Sequence, residues 1–350
     1  MLALLIAAHN EDLVIADTLR SAINAGMKAQ NIYVVDDNSS DSTSKIAREI
    51  IGKNNVCRVR RSGKGLALTK ATKKFSLTDR YRWIHIADAD GGFASNYFSE
   101  FRKTLRVKYA AATGYVKSLP GAVIGEYRVY EYTIGMEIHR RFQAFTQTVP
   151  VIPGPTSCFR ADVFAQLNFA NKSLTEDFDV TLQLHRKQLG KIQFIPSAIA
   201  FTQDPKNTQD FIKQVTRWNR GIVQGIKRHK IGFRSTRIDV YLSYQLMQNI
   251  LFFVNYLVIL PIISLERHSP QVFALAFLAD VTLTMLFAIG VAMRSGRWDI
   301  LSAFPYIYLL RWLQLTIFMK ALLEILVLRK FKVSDGTWST AGRRYKQTKA

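Results

Sequence analysis

Cysteine is scarce. Only Cys57 and Cys158 occur in 350 residues, far apart and without the spacing of a metal-ligand set or a disulfide framework. That argues against a disulfide-stapled secreted scaffold or a zinc ribbon and favours a reducing compartment. Acidic residues are also short, with 26 Asp and Glu against 48 Lys and Arg, which leaves a formal charge of +22. Residues 1–239 contain no apolar run of membrane length. The first apolar run, Leu2 to Ala8, has no basic segment before it and stops at His9-Asn10-Glu11-Asp12. It is expected to be a buried strand, with no leader peptide and no span at that end.

What is present divides the chain at about residue 240. Residues 1–239 read as a mixed, charged domain. Residues 240–265 carry no charge and residues 270–293 carry only Asp280, so each has the length and composition of a transmembrane helix. Residues 300–328 form a third apolar stretch interrupted by Arg311, Lys320 and Glu324. Nine Lys or Arg residues fall in 206–237 and seven in 329–350, on either side of this region. Basic clusters flanking apolar spans fit an anionic lipid bilayer rather than nucleic acid, and place both flanks in the cytoplasm. Two spans plus an interfacial third helix satisfy that topology; a short helical hairpin within 300–328, or three spans with an exterior tail, are the alternatives.

Within the first domain, apolar runs alternate with helical patterns. Strands are expected at 2–7, 32–35, 56–59, 83–87 and 192–195, and helices at about 13–25, 42–51, 64–75, 176–189 and 207–230. Pro120, Pro150, Pro153 and Pro155 mark 120–160 as containing loop between helices. Such alternation implies an α/β fold with a mostly parallel sheet, whose ligands lie beyond the carboxyl ends of the strands. Two strand ends carry acidic pairs to that edge, Asp36/Asp37 and Asp88/Asp90.

Asp88 and Asp90, two residues apart, can share one hard cation with ligand phosphates, although a pair of solvated loop aspartates has the same sequence. Asp37 can accept from a ribose or base, while Asp36 suits an Asx turn into Asn38-Ser39-Ser40. Ser62-Gly63-Lys64-Gly65 opens a helix and suits a phosphate, but lacks P-loop spacing. Glu176, Asp177 and Asp179 start a helix, where they complement its dipole or supply a general base. Gln214, Arg217 and Trp218 share one face of the basic helix, suited either to pyrophosphate and a stacked sugar or to a membrane surface.

Taken in order, these segments resemble the family 2 glycosyltransferases of GT-A fold. The match runs from Ala7-Ala8-His9-Asn10-Glu11 through Val35-Asp36-Asp37, Gly63-Lys64-Gly65, Asp88-Ala89-Asp90, Phe159-Arg160 and Thr175-Glu176-Asp177 to Gln214-x-x-Arg217-Trp218. It is strongest with the processive membrane-bound branch of cellulose, chitin, hyaluronan and poly-N-acetylglucosamine synthases. The resemblance implies a nucleotide-sugar donor bound by Asp37, Lys64, Asp88 and Arg217, with Mg or Mn at Asp88 and Asp90. Asp177 would be the base of an inverting displacement onto a glycan acceptor, and Gln214, Arg217, Trp218 and Glu176 would hold pyrophosphate and acceptor. The segments 331–336 and 338–343 resemble gating loops that follow an interfacial helix.

Gly91 departs from the small hydroxyl residue often found after the metal motif, and two or three helices are few for a polysaccharide channel. Homo-oligomerisation would supply more. A polyprenyl-phosphate sugar transferase is the second reading, and a non-catalytic membrane scaffold the third. Asp280, ionisable within an apparent span, is expected to serve an acceptor path or helix pairing.

Overall fold

The computed structural model describes residues 1–118, 123–170 and 173–329. The segments 331–336 and 338–343 and nearly all of the basic tail lie outside them.

Eight strands form one sheet: β1 (Leu2–Ala8), β2 (Ile32–Asp36), β3 (Val56–Arg58), β4 (Trp83–Asp88), β5 (Gly92–Phe93), β6 (Tyr109–Ser118), β7 (Ser157–Arg160) and β8 (Lys191–Thr202). Their order is β3-β2-β1-β4-β7-β6-β8-β5. The β3-β2-β1-β4 half is parallel, with Ala7 opposite both Val35 and Asp88. Its connecting helices, Ile15–Asn24, Thr43–Ile51 and Lys64–Lys74, lie within two residues of their expected bounds. Gly26 and Gly52, with φ of +90° and +89°, stop the first two where a side chain would be strained. Asp41, expected as the cap of the second, lies one residue before the N-cap Ser42 and accepts from the Thr43 amide at 2.9 Å.

The other half of the sheet was harder to foresee. β7 runs antiparallel to β4 and to β6, while β8 runs parallel to β6. β6, with the sequence Tyr-Ala-Ala-Ala-Thr-Gly-Tyr-Val-Lys-Ser, is buried along nearly its whole length. Its alternation is therefore lost. β8 extends well past the expected 192–195, through Pro196. The register jumps there from Gly114 opposite Ile195 to Tyr115 opposite Ile199, and this irregularity accommodates a residue without an amide hydrogen. Apolar clusters line both sheet faces, one around Leu4, Ile6, Val34 and Phe98, the other around Leu5, Val35, Ile84 and Val180.

Beyond the sheet, helix Val123–Ile134 continues through Arg140, and helix Thr208–Arg228 carries the basic face. Two helices, Arg237–Glu266 and Pro270–Ser295, are long and apolar enough to cross a membrane, and little of either is covered. Both ends of this hairpin are tied to the first domain. Arg186 grips Asp239 with two contacts of 2.6 Å, and Arg297 and Arg294 meet Glu126 and Glu137 at 2.7 and 2.8 Å. Helix Phe304–Leu322 packs along Thr208–Arg228, reinforced by Arg220 to Glu324 at 2.7 Å. Asp280 accepts from Arg311 at 2.7 Å and from the Tyr308 hydroxyl at 2.8 Å, so the charge in the second apolar stretch is the partner of a charge in the third.

Candidate active site

The carboxyl ends of β1 and β4 open into a cleft of about 860 Å³, also lined by Lys64, Asp177, Arg217 and Trp218. The turn after β4 is fixed by Thr18, whose hydroxyl donates to the carbonyls of Ala89 and Gly91 at 2.7 and 2.8 Å. This presents Asp88 and Asp90 to the cleft. Gly154 lies against Asp88: a Cβ there would stand 2.8 Å from both carboxylate oxygens. Glycine lets that loop pass without displacing the Asp88 carboxylate.

Asp36 makes the expected Asx turn, but Asp37, expected at the ligand, is used structurally. Asp36 accepts from the Ser39 amide at 2.7 Å, an Asx turn. Asp37 is fully buried and does not line the cleft; it accepts from the Ser62 and Gly63 amides at 2.8 Å each. Its carboxylate thus folds the loop that delivers Lys64. Gly65, one residue on, is pressed against backbone, where a Cβ would meet the Phe169 carbonyl oxygen at 1.8 Å.

Lys64 sits between two acids, its Nζ 2.6 Å from Asp88 and 2.6 Å from Glu176. Burial alone would lower its pKa, but the two carboxylates outweigh burial and raise it, so it is a fixed cation. Beside it, Asp177 is pushed up to about 6, first by burial and then by the Glu176 charge, with Lys64 opposing. That range lets a carboxylate accept a proton near neutrality. Asp179 is not part of the cleft: Arg228 and His229 hold it at 2.9 and 3.0 Å.

The face shared by residues 214, 217 and 218 is split. Arg217 and Trp218 line the cleft, and Arg217 also donates to the Leu174 carbonyl at 3.0 Å. Gln214 is 4% exposed and lies behind them, its amide oxygen taken by Arg128 at 2.6 Å. Gly221 brings this helix close to the acidic one, since a Cβ there would fall 2.3 Å from the Thr175 hydroxyl.

Arg140 gave no signal in the sequence. It lines the cleft at 5% exposure and donates to the Val151 carbonyl at 2.6 Å, but its Nε has no hydrogen-bond partner. Burial pushes it down to about 10. Glu11, from the Asn-Glu end of the first motif, also reaches the cleft wall. Among the described residues no cluster of three His, Cys, Asp or Glu could cage a metal.

The model of the family described as "Glycosyltransferase like family 2" matches residues 1–221. The chain is 28% identical over 243 residues to the probable glycosyltransferase YdaM of Bacillus subtilis, covering 63% of this chain and 54% of that protein. It therefore spans about half the length of that relative. It is 22% identical over 302 residues to the poly-beta-1,6-N-acetyl-D-glucosamine synthase of Staphylococcus epidermidis, covering 81% of this chain and 72% of that protein. Among solved structures, the mannosyltransferase PcManGT of Pyrobaculum calidifontis, in complex with GDP-Man and Mn2+, superposes with a TM-score of 0.58 at 13% identity, over 94% of this chain and 88% of that one. That likeness is one of fold. The sheet, the acidic edge and a family match over more than half of the chain lead to one conclusion: this protein belongs to the family 2 glycosyltransferases and has their GT-A fold.

Proposed function

We propose that the protein transfers a sugar, with inversion, from a nucleotide-sugar donor to a glycan acceptor at a membrane surface. The observation that carries this reading is the placement of Asp177, its pKa pushed up to about 6 by burial, in one cleft with Asp88, Asp90 and the fixed cation Lys64. A base, a diphosphate site and a stacking surface then face a common space.

The donor set suits Mg or Mn. Asp88 and Asp90 offer hard oxygen ligands without thiolate or imidazole, and the remaining positions would fall to donor phosphates and water. When bound there, the ion would neutralise charge building on the departing diphosphate. Lys64 and Arg217 supply fixed positive charge to the same leaving group. Trp218 offers its ring face to the acceptor sugar. Asp177 takes the proton from the attacking hydroxyl as that oxygen bonds to the anomeric carbon, and the diphosphate leaves from the opposite side. The two apolar helices would cross the bilayer, with the third packed against the second through Asp280 and Arg311, and with the basic flanks and the catalytic domain cytoplasmic. The poly-N-acetylglucosamine relatives make a UDP-sugar the first donor to test.

A second reading has its own support. Arg140 is a buried guanidinium whose Nε has no hydrogen-bond partner among the described residues and on which the Asp177 charge acts, in a cleft wall that also includes Tyr132, Met136, Val151 and Ile222. A cation next to apolar walls suits an acceptor phosphate on a lipid chain. Butanol extraction of a product carrying one labelled sugar would favour it over polymer.

The test is nucleotide release by the membrane-reconstituted protein over a panel of UDP- and GDP-sugars with Mn or Mg, beside Asp177→Asn. Metal-dependent release from one donor, cut about 10²- to 10⁴-fold in the variant, is expected for loss of a general base. Release that is equal in both proteins would remove Asp177 from that role.

A further inference from the structure

We infer that Arg128 is a positioning residue that sets the ring of Trp218, and that helix Phe304–Leu322 reaches the acceptor side of the cleft through it. The inference rests on the reading of Trp218 as the acceptor platform.

Arg128 lies on helix Val123–Ile134 and is fully buried, outside the cleft lining. Its guanidinium carbon is 4.8 Å from the Trp218 ring centroid and 4.8 Å from that of Phe211. Its Nη2 donates to the Gln214 amide oxygen at 2.6 Å, and its Nη1 donates to Glu131. One planar group thus sits between two aromatic rings while its edges hold a glutamine and a glutamate. A guanidinium can stack and donate in plane at once; an ammonium cannot. Gln214, expected from the motif to meet the ligand, is instead a strut of this arrangement.

The strut continues outward. Glu131 accepts from Gln314 Nε2 at 2.8 Å, and Gln314 accepts from the Tyr127 hydroxyl at 2.6 Å. Gln314 belongs to helix Phe304–Leu322. The path Gln314, Glu131, Arg128, Trp218 is therefore a continuous set of contacts between helix Phe304–Leu322 and the cleft. Arg128 Nε makes no hydrogen bond among the described residues and stands 3.9 Å from Asp204 Oδ1, so its two Nη contacts and the flanking rings are what hold the guanidinium in place.

Arg128→Lys and Gln314→Ala test it, read without substrate and then with it. Trp218 emission is isolated by subtracting the spectrum of each protein's Trp218→Phe counterpart. Both variants are expected to make that emission about twofold more quenchable by acrylamide, with wild-type far-UV circular dichroism, since a buried charged hydrogen bond governs local order. With UDP-N-acetylglucosamine and a β-1,6-linked N-acetylglucosamine tetrasaccharide as probes, the acceptor KM should rise about tenfold for Arg128→Lys, and less for Gln314→Ala, at unchanged donor KM. Unchanged quenching in both variants overturns the inference, as does an equal rise in donor and acceptor KM. An unchanged acceptor KM in Trp218→Phe alone would instead remove the reading of Trp218 as the platform, leaving the Arg128 contact standing.

Discussion

The ammonium of Lys64 stands 2.6 Å from Asp88 Oδ1, so the first aspartate of the Asp-Ala-Asp motif already holds a cation before any donor arrives. A divalent ion drawn to Asp88 meets that charge. Replacing it with an uncharged chain of similar length, Lys64→Met, leaves Asp88 and Glu176 facing each other unneutralised. Manganese titrated into the donor-free protein, followed by electron paramagnetic resonance, should bind about tenfold more tightly to the variant, as expected for loss of one neighbouring like charge. Turnover should fall, because the diphosphate loses its fixed counter-charge. Tighter manganese binding with undiminished turnover would mean that Lys64 does not serve the leaving group.

Lys64 and Glu176 also set a pH dependence, through Asp177. Asp177 works as a base only when ionised, so activity should be lost as pH falls through its value of about 6. Glu176 raises that value and Lys64 lowers it. Glu176→Gln should therefore move the acid limb to lower pH, and Lys64→Met should move it to higher pH. The pH profile of kcat/KM for the three proteins checks both signs. A limb that stays in place in both variants would assign it to another group.

Much of this site was legible because its residues sit at the ends of strands. Asp88 and Asp90 follow an apolar run and line the cleft, while Asp36 and Asp37, at the end of a nearby parallel strand, shape its edge from behind. Other features depend on contacts far apart in sequence. Nothing around Asp37 announces that it folds the Ser62–Gly63 loop, 25 residues on. Gln214 sits on the expected face, but Arg128, 86 residues earlier, decides that it turns from the cleft. Strand β6 escaped notice because burial erased its alternation, and Arg140 because a lone arginine has no pattern. In the apolar region, length and composition picked out two helices, while the pairing of Asp280 with Arg311 needed coordinates.

Two glycines should fail in different ways. At Gly65 a Cβ would strike the Phe169 carbonyl oxygen, which cannot yield without moving backbone. Gly65→Ala is expected to cost about 1–3 kcal/mol, the range for overpacking, seen as a lower thermal midpoint. At Gly154 the atoms met are the Asp88 carboxylate oxygens, the far end of a side chain that can rotate. Gly154→Ala should keep most of its stability and lose activity, because Asp88 is pushed out of place. Equal loss of stability in both would show that the loop around 154 cannot adjust.

The pair Asp280 and Arg311 is largely buried, at 8% and 30% side-chain exposure, with Asp280 accepting from Arg311 and Tyr308 and Arg311 also donating to Thr284 at 2.7 Å. Removing one partner strands the other charge, which in buried pairs costs about 3–5 kcal/mol, whereas replacing both by apolar residues of similar volume is often neutral. Asp280→Leu should therefore lower the midpoint of thermal unfolding in detergent sharply, and Arg311→Met should do the same. The double variant should recover most of the loss, a non-additivity that two independent surface charges would not show. Activity of the double variant then tests the alternative role. If the pair only joins helices, the stable double variant transfers sugar at close to the wild-type rate. If Asp280 lines an acceptor path, stability returns and transfer does not.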